Sequence, residues 1–519
     1  MPKRLFLFCL ILAVIGCDSK VSVSPIETSL TSPEVIEAQR RAGVARSHPW
    51  KTYGPGGYDE YLAAEMDGEP RFAGAFSENG RTVFLVAAGA AGQARPLGLD
   101  GERSMVNSFF GGPSGVVAGA SAFGSSDVEF RSAEFTFREL LEAKKRVWEA
   151  VARIDGFVFL DLNERANRVE VGVKGSDVAA FEALLGPFFA DGTVVLLPNI
   201  GPLESTQASS IYQEDGGSSC EGNSPGPGGG GGSSGNPTLQ DEHRPLVGGT
   251  RMSFEGEGPC TLTVPGWYNN QNGFLTNSHC SSVTGSASGQ RAYQPLQSVS
   301  PGRVGIEAFE MPWTADLTSN CPSGGECRFA DVTWVFSQPS YAQVSPGVVA
   351  DAPKTSSAPP RRSRDIAVVA RHYPPYVLPK AGDPIAYVSQ RTGRRSGEIG
   401  RTCLTVEAEP DKYYLCQMEF TLTDGSQIEP GDSGAPVFWE RSESGRPAID
   451  DSNTVTIDGT TYISGLLTGI QHTRFSSNTF SGLFSFWWDV EWEIEGRQFK
   501  TGSGALDVVR RAGGGPPPA

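Results

Sequence analysis

An all-β domain behind a smaller α+β domain is the architecture this 519-residue chain predicts, and three observations carry it. After residue 245, short runs rich in Val, Ile, Thr and aromatics alternate with turn residues down to about 500, the pattern of many short strands. Before residue 200 the order of periodic segments is α-β-β-α-β, which a small α+β unit requires. Between them, residues 214–237 centre on SPGPGGGGGSSGNP, too rich in Gly, Ser and Pro to pack a core. The length allows two or three domains, each with its own core.

The elements follow in chain order. Lys3 and Arg4 precede LFLFCLILAVIG, an apolar stretch too short to span a bilayer as a helix, and Cys17 follows. The ending V-I-G-C resembles a bacterial lipobox, which implies a signal peptide over 1–16 and a lipid on Cys17. Residues 17–50 are polar and aperiodic, as a tether would be. The α+β domain is assigned to 51–203. There RFAGAFSENGRTVFLVAAG reads as two strands around the turn ENG. In 137–154, Leu140, Leu141, Val147, Trp148 and Val151 share a helix face. GFVFLDLN and NRVEVGV alternate as paired strands, DVAAFEALLGPFF reads as a second helix and GTVVLLPN as a strand. A linker over 204–245 leads into the all-β domain, 246–500, whose halves are separated by an Ala/Ser/Pro-rich loop at 337–362. The tail 501–519 ends in GGGPPPA, a composition that packs no core.

Charge and cysteines narrow the classes. A formal net charge of −16 without a dense basic face excludes a nucleic-acid partner, since such proteins gather Lys and Arg on one surface. Export implies an oxidising compartment, where the cysteines beyond Cys9 and Cys17 pair. Local spacing suggests Cys260 with Cys280, Cys321 with Cys327 and Cys403 with Cys416, leaving Cys220 in the linker. None shows the C-x-x-C spacing of a zinc site, so no metal or other cofactor is predicted.

Two stretches carry chemistry. GFLTNSHC (273–280) places His279, one of five histidines, beside a cysteine after a short apolar run. GDSGAPVF (431–438) flanks Ser433 with glycines ahead of an apolar strand. A serine hydroxyl becomes a useful nucleophile only when a base takes its proton and donors receive the charge developing on the carbonyl oxygen. Glycines around the serine let neighbouring N–H groups converge, and those of Gly431 and Ser433 are suited to that task.

LTNSHC and GDSGAPV together resemble the hallmark motifs of chymotrypsin-like serine peptidases, in particular the bacterial branch of streptogrisins and α-lytic protease. VGGTRMSF, the CTL carrying Cys260, ADVTWVF (330–336), GDPIAYVSQRTGRRSGEIG (382–400) and SGLLTGI (464–470) resemble further segments of that branch, in order, over residues 246–500. The resemblance implies a double six-stranded β-barrel and an endopeptidase that works through an acyl-enzyme on protein or peptide substrates. It implies Ser433 as nucleophile, His279 as general base and Asp331 as the acid orienting the imidazole. Asp316, in TADLTSN, is the rival acid; the apolar strand VTWVF directly after Asp331 favours the latter. Gly431 and Ser433 would form the oxyanion hole. Gln427, six residues before Ser433, and Thr468, Gly469 and Ile470 would line the substrate pocket; with no Asp at 427, a preference for Arg or Lys is disfavoured.

Departures from the family pattern matter as much. Asn277 and Ser278 stand where family members carry small residues, and a buried Asn needs partners. This is the feature that favours the competing reading, a catalytically weak or inactive binding lipoprotein. RPLVGG resembles a zymogen junction, but no pairing of a new N-terminus with Asp432 is assigned. FVFLDLNERANRVEVGV resembles the paired strands of a pro-region, which implies intramolecular inhibition by the N-terminal domain. The expected location is the bacterial cell envelope, lipid-anchored in the inner or outer membrane, with the protease domain outside the cytoplasm.

Overall fold

The computed structural model describes residues 56–88, 104–106, 109, 128–205, 237–440, 454–496 and 508–509, with short interruptions. Cys17, the tether, Cys220, Asp316 and the Gly-rich core of the linker lie outside the described residues.

Two strand rings make up the C-terminal part. In the first, Arg251–Phe254, Arg291–Tyr293, Arg303–Glu310, Thr333–Phe336, Gln271–Thr276 and Val264–Tyr268 pair in that order. The strand Pro259–Thr261, continuous in chain with Val264–Tyr268, pairs back onto Arg251–Phe254 and brings the sheet edges together. Met252, Phe254, Phe274, Val304 and Val335 fill its interior. In the second ring, Pro384–Ser389, Gly393–Glu409, Lys412–Leu422, Asn478–Phe486, Thr460–Phe475 and Pro436–Trp439 pair in sequence, and the last returns to the first. Trp334, Val349, Val368, Phe438, Leu467 and Trp487 pack where the rings meet. This is the all-β, chymotrypsin-like double-barrel arrangement. One local expectation needs correction. Inside the Ala/Ser/Pro-rich stretch, Val344–Asp351 is a strand paired with Arg364–Arg371 and with Leu246–Gly248, because its V-S-P-G-V-V-A-D run buries one apolar end.

The N-terminal elements form for local reasons and bury their apolar faces on the second ring. The helix Phe137–Val151 starts at a reciprocal cap: Thr136 Oγ1 accepts from the Glu139 N–H at 3.2 Å, and Glu139 Oε2 accepts from the Thr136 N–H at 2.8 Å. Its buried face, Leu140, Leu141, Val147 and Val151, packs in one core with Phe157, Val171, Tyr413, Met418 and Phe420. The strand Phe157–Asn163 pairs with Arg168–Val173, as alternation predicts, and also with the second barrel through Thr405↔Leu160 and Val406↔Phe159. One sheet therefore runs across both parts of the chain. Buried charge crosses the same boundary. Lys144, on the helix, donates to Asp59 at 2.7 Å and to the Cys403 carbonyl at 2.8 Å. Arg401 of the barrel reaches Glu170 at 2.9 Å.

Candidate active site

His279, Asp331 and Ser433 come from three elements that the strand register brings together. Gln271–Thr276 pairs antiparallel with Thr333–Phe336, and Thr276 lies opposite Thr333. The residues after the first strand therefore meet those before the second, which sets His279 beside Asp331. Ser433 arrives from the other ring, on the turn that leads into Pro436–Trp439.

The contacts form a line. His279 Nδ1 is hydrogen-bonded to Asp331 Oδ2, and the other ring nitrogen, Nε2, lies 2.8 Å from Ser433 Oγ. A neutral ring held this way carries its proton on Nδ1 and accepts the serine proton at Nε2. The backbone N–H of His279 also donates to Asp331 Oδ1 at 3.2 Å. Asp331 is fully buried. That burial opposes its ionisation, yet the adjacent His279 imidazole overrides it and holds the carboxyl well below the usual carboxylate range.

The serine turn is built by glycine. Gly431 has φ +102° and Gly434 φ +89°, and a Cβ on Gly434 would stand 2.0 Å from the Thr261 carbonyl oxygen, so only glycine fits there. Thr261 Oγ1 donates to the Gly431 carbonyl at 2.9 Å and the Thr261 N–H to the Ser433 carbonyl at 2.7 Å, pinning the turn to the first ring. Asp432 points away, into a nest of hydroxyls: Tyr387 Oη donates at 3.1 Å and Thr392 Oγ1 at 3.0 Å, with Ser389 Oγ and the Glu429 N–H completing the set. Three side-chain hydroxyls and one backbone amide thus satisfy the Asp432 carboxylate. Burial still raises the Asp432 carboxyl to about 6.

Ser278 has its partners, whereas Asn277 is satisfied at its Nδ2 alone and keeps a buried Oδ1 with no hydrogen-bond partner. Asn277 is fully buried and its Nδ2 donates to the Asp331 carbonyl at 2.7 Å. Ser278 Oγ donates to Glu310 Oε1 and accepts from Arg328 Nη1 at 2.7 Å. Arg328 and Glu310 pair at 3.1 Å with both side chains wholly buried. The two polar residues ahead of His279 therefore tie its turn to the segment bearing Asp331. The disulfide Cys260–Cys280 fastens the same turn, and Cys321–Cys327 and Cys403–Cys416 are also formed.

Sequence reasoning missed three neighbours. His472, fully buried, places its carbonyl oxygen 3.3 Å from Ser433 Oγ, and its Nε2 lies 2.9 Å from Gln417 Oε1. Burial pushes the His472 imidazole down to about 4, although Asp331 pulls the other way. Gln417 also donates to the Phe329 carbonyl at 2.8 Å and accepts from Ser485 Oγ at 3.0 Å, while Ser485 Oγ accepts from the Asp331 N–H at 3.1 Å. No sequence signal marks Gln417, because 86 residues separate it from Asp331 and only the second ring closes that gap.

The residues expected at the pocket sit as follows. Thr468, Gly469 and Ile470 lie in the wall of the second ring: Gly469 pairs with Val437 and Phe486, and Ile470 is buried in the core between the rings. The backbone next to Ser433 is three residues further on. The Gly434 N–H donates to the Gln471 carbonyl at 3.0 Å and the Gln471 N–H to the Ala435 carbonyl at 2.9 Å, which puts Gln471–Thr473 beside the serine. Gln427 is exposed.

Fold and site together define the class, a chymotrypsin-like double barrel with Ser, His and Asp in line at the junction of its rings. Comparison with solved structures returns the same fold class at low similarity. Thermobifida fusca protease A is 17% identical, with 51% of this chain and 98% of that one covered and a TM-score of 0.31. Nocardiopsis protease is 15% identical over 50% of this chain and 98% of that one, with a TM-score of 0.29. An α-lytic protease homologue, N4, is 12% identical over 51% and 98%, with a TM-score of 0.30. No family model matches the chain, and no curated protein matches it.

Among the described residues no group of three or more His, Cys, Asp or Glu is placed to hold a metal ion, and no helix is long and apolar enough to cross a membrane.

Proposed function

We propose that this protein is an exported, lipid-anchored serine endopeptidase. The observation that carries the reading is the unbroken contact line from Ser433 Oγ through the His279 ring to the buried Asp331 carboxylate. Ser433 Oγ attacks the peptide carbonyl as its proton passes to His279 Nε2. The N–H groups of Gly431 and Ser433 receive the oxyanion, a task worth about 10²–10³ in rate per donor. Collapse of the tetrahedral intermediate breaks the C–N bond, and His279 returns the proton to the departing amine. Water then attacks the acyl-enzyme with His279 again as base, releasing the acid and restoring Ser433. Asp331 holds the tautomer and stabilises the imidazolium throughout.

The N-terminal domain acts as a tethered inhibitor. Its last described strand, Leu203–Ser205, pairs antiparallel with Thr473–Phe475, immediately beyond His472, where an extended substrate would run. The Ser476 N–H donates to the Pro202 carbonyl at 2.9 Å and extends this pairing by one link. Three disulfides fit an oxidising compartment, and the lipobox-like V-I-G-C supports anchoring at Cys17.

The test is labelling with a fluorophosphonate probe, read by intact mass. Full-length protein should gain one adduct that Ser433→Ala abolishes, faster after limited proteolysis within the linker. No Ser433-dependent adduct in either form would sink the peptidase reading.

A further inference from the structure

Arg474 stands on the strand beside the serine with a role that neither fold nor triad requires. Its Nη1 donates to the Ile428 carbonyl at 2.7 Å, which draws the guanidinium towards the 423–430 segment leading to the Ser433 turn. Its Nη2 lies 3.3 Å from Glu204 Oε2, and its side chain is 19% exposed against 47% for the Glu204 side chain. Glu204 belongs to the strand Leu203–Ser205 that ends the N-terminal elements, and its register on the barrel is Leu203↔Phe475, Glu204↔Arg474, Ser205↔Thr473. Two more hydrogen bonds hold that strand in place: the Gly201 N–H donates to Ser477 Oγ at 3.0 Å and the Ser476 N–H to the Pro202 carbonyl at 2.9 Å.

The same register defines a ruler. His472, whose carbonyl meets Ser433 Oγ, is two residues before Arg474 on this strand. An antiparallel peptide that places its acyl residue opposite His472 therefore places the residue two positions earlier opposite Arg474. Side chains directly opposite in an antiparallel pair share one face of the sheet and interact as a unit. On this face the barrel offers a guanidinium already steadied by a carbonyl, and the N-terminal domain fills it with a carboxylate.

We propose that Arg474 selects extended peptides bearing Asp or Glu two residues before the acyl residue, and that Glu204 occupies that site in competition. The proposal rests on the peptidase reading for its link to cleavage, but peptide binding tests it separately. A partly exposed Arg–carboxylate pair is worth about 1 kcal/mol at most, so the expected preference is roughly fivefold and shrinks with added salt.

The experiment uses full-length Ser433→Ala protein and fluorescent hexapeptides that differ only at the position opposite Arg474: Glu, Gln or Lys. Fluorescence polarisation should rank Glu about fivefold tighter than Gln, with Lys weakest. Glu204→Gln should tighten every peptide, because the Leu203–Ser205 strand competes less. Arg474→Gln should equalise Glu and Gln peptides, and Arg474→Lys should retain part of the preference, which separates lost recognition from lost folding. Equal affinity for Glu and Gln peptides in the Arg474 protein would overturn the proposal. Fluorophosphonate labelling of the Ser433 protein reports the peptidase reading alone: labelling without acid preference removes only this inference, and acid preference without labelling removes only the peptidase.

Discussion

Asn277→Ala is the sharpest probe of how this site is held. Asn277 is fully buried and its amide donates to the Asp331 carbonyl at 2.7 Å, the side-chain link from the His279 turn to the backbone of the acid. Removing the amide forfeits a buried hydrogen bond, about 1 kcal/mol net, and leaves the Asp331 carbonyl short of a donor, a further 1–3 kcal/mol. Lost side-chain volume adds to this, while removal of the buried, unpartnered Asn277 Oδ1 offsets part of it, so destabilisation of about 1–3 kcal/mol is expected. The effect on chemistry should be smaller. Asp331 keeps the His279 N–H, the His279 ring and, through its own N–H, Ser485 Oγ at 3.1 Å. About 1.4 kcal/mol of misplacement corresponds to a tenfold slower reaction, and a tenfold slower fluorophosphonate adduct is the expected result. Urea unfolding, followed by tryptophan fluorescence, measures the first quantity, and adduct formation against time measures the second. An unchanged urea midpoint together with an unchanged labelling rate would refute the reasoning and leave Asn277 as a mere filler.

Two further perturbations probe the buried charges. Glu310→Ala strands the Arg328 guanidinium, whose side chain is wholly buried, so unfolding should cost about 3–5 kcal/mol less, whereas Glu310→Ala with Arg328→Met should recover most of it. A loss below about 1 kcal/mol in the single variant would show that the pair contributes little. At the joint between the N-terminal domain and the second barrel, Glu164 accepts from Thr402 Oγ1 at 2.8 Å, and burial raises its carboxyl to about 8. Because the native state holds this proton more tightly than the unfolded chain, its contribution is fully present below about 4.5 and is lost as pH rises through 8. Melting temperature should therefore fall across that window, and Glu164→Gln should flatten the dependence; an identical pH profile in the variant would exclude Glu164 as the cause.

Some elements were legible because their causes are local. The helix Phe137–Val151 follows from its apolar spacing and from Thr136 and Glu139, which cap it without help from the rest of the chain. The paired strands Phe157–Asn163 and Arg168–Val173 follow from alternation around a polar turn. His279 and Ser433 stood out because the glycines and the neighbouring cysteine that shape their turns are sequence neighbours. Gln471–Thr473 were not legible as neighbours of Ser433, because only the pairing of the two strands sets them there and register leaves no mark in composition.

By itself, then, the sequence determined an all-β region built of short strands, the two turns that carry His279 and Ser433, and the cysteines available for pairing. Each of these depends on residues close together in the chain. Tertiary structure decided which residues surround those turns. It chose Asn277 as the clasp on Asp331, Gln417 as the bridge between His472 and Ser485, and Arg474 as the cation facing Glu204. The physical reason is sequence distance: these contacts span 54 to 270 residues, and only ring closure and the sheet shared by the two parts of the chain bring such partners within hydrogen-bond reach.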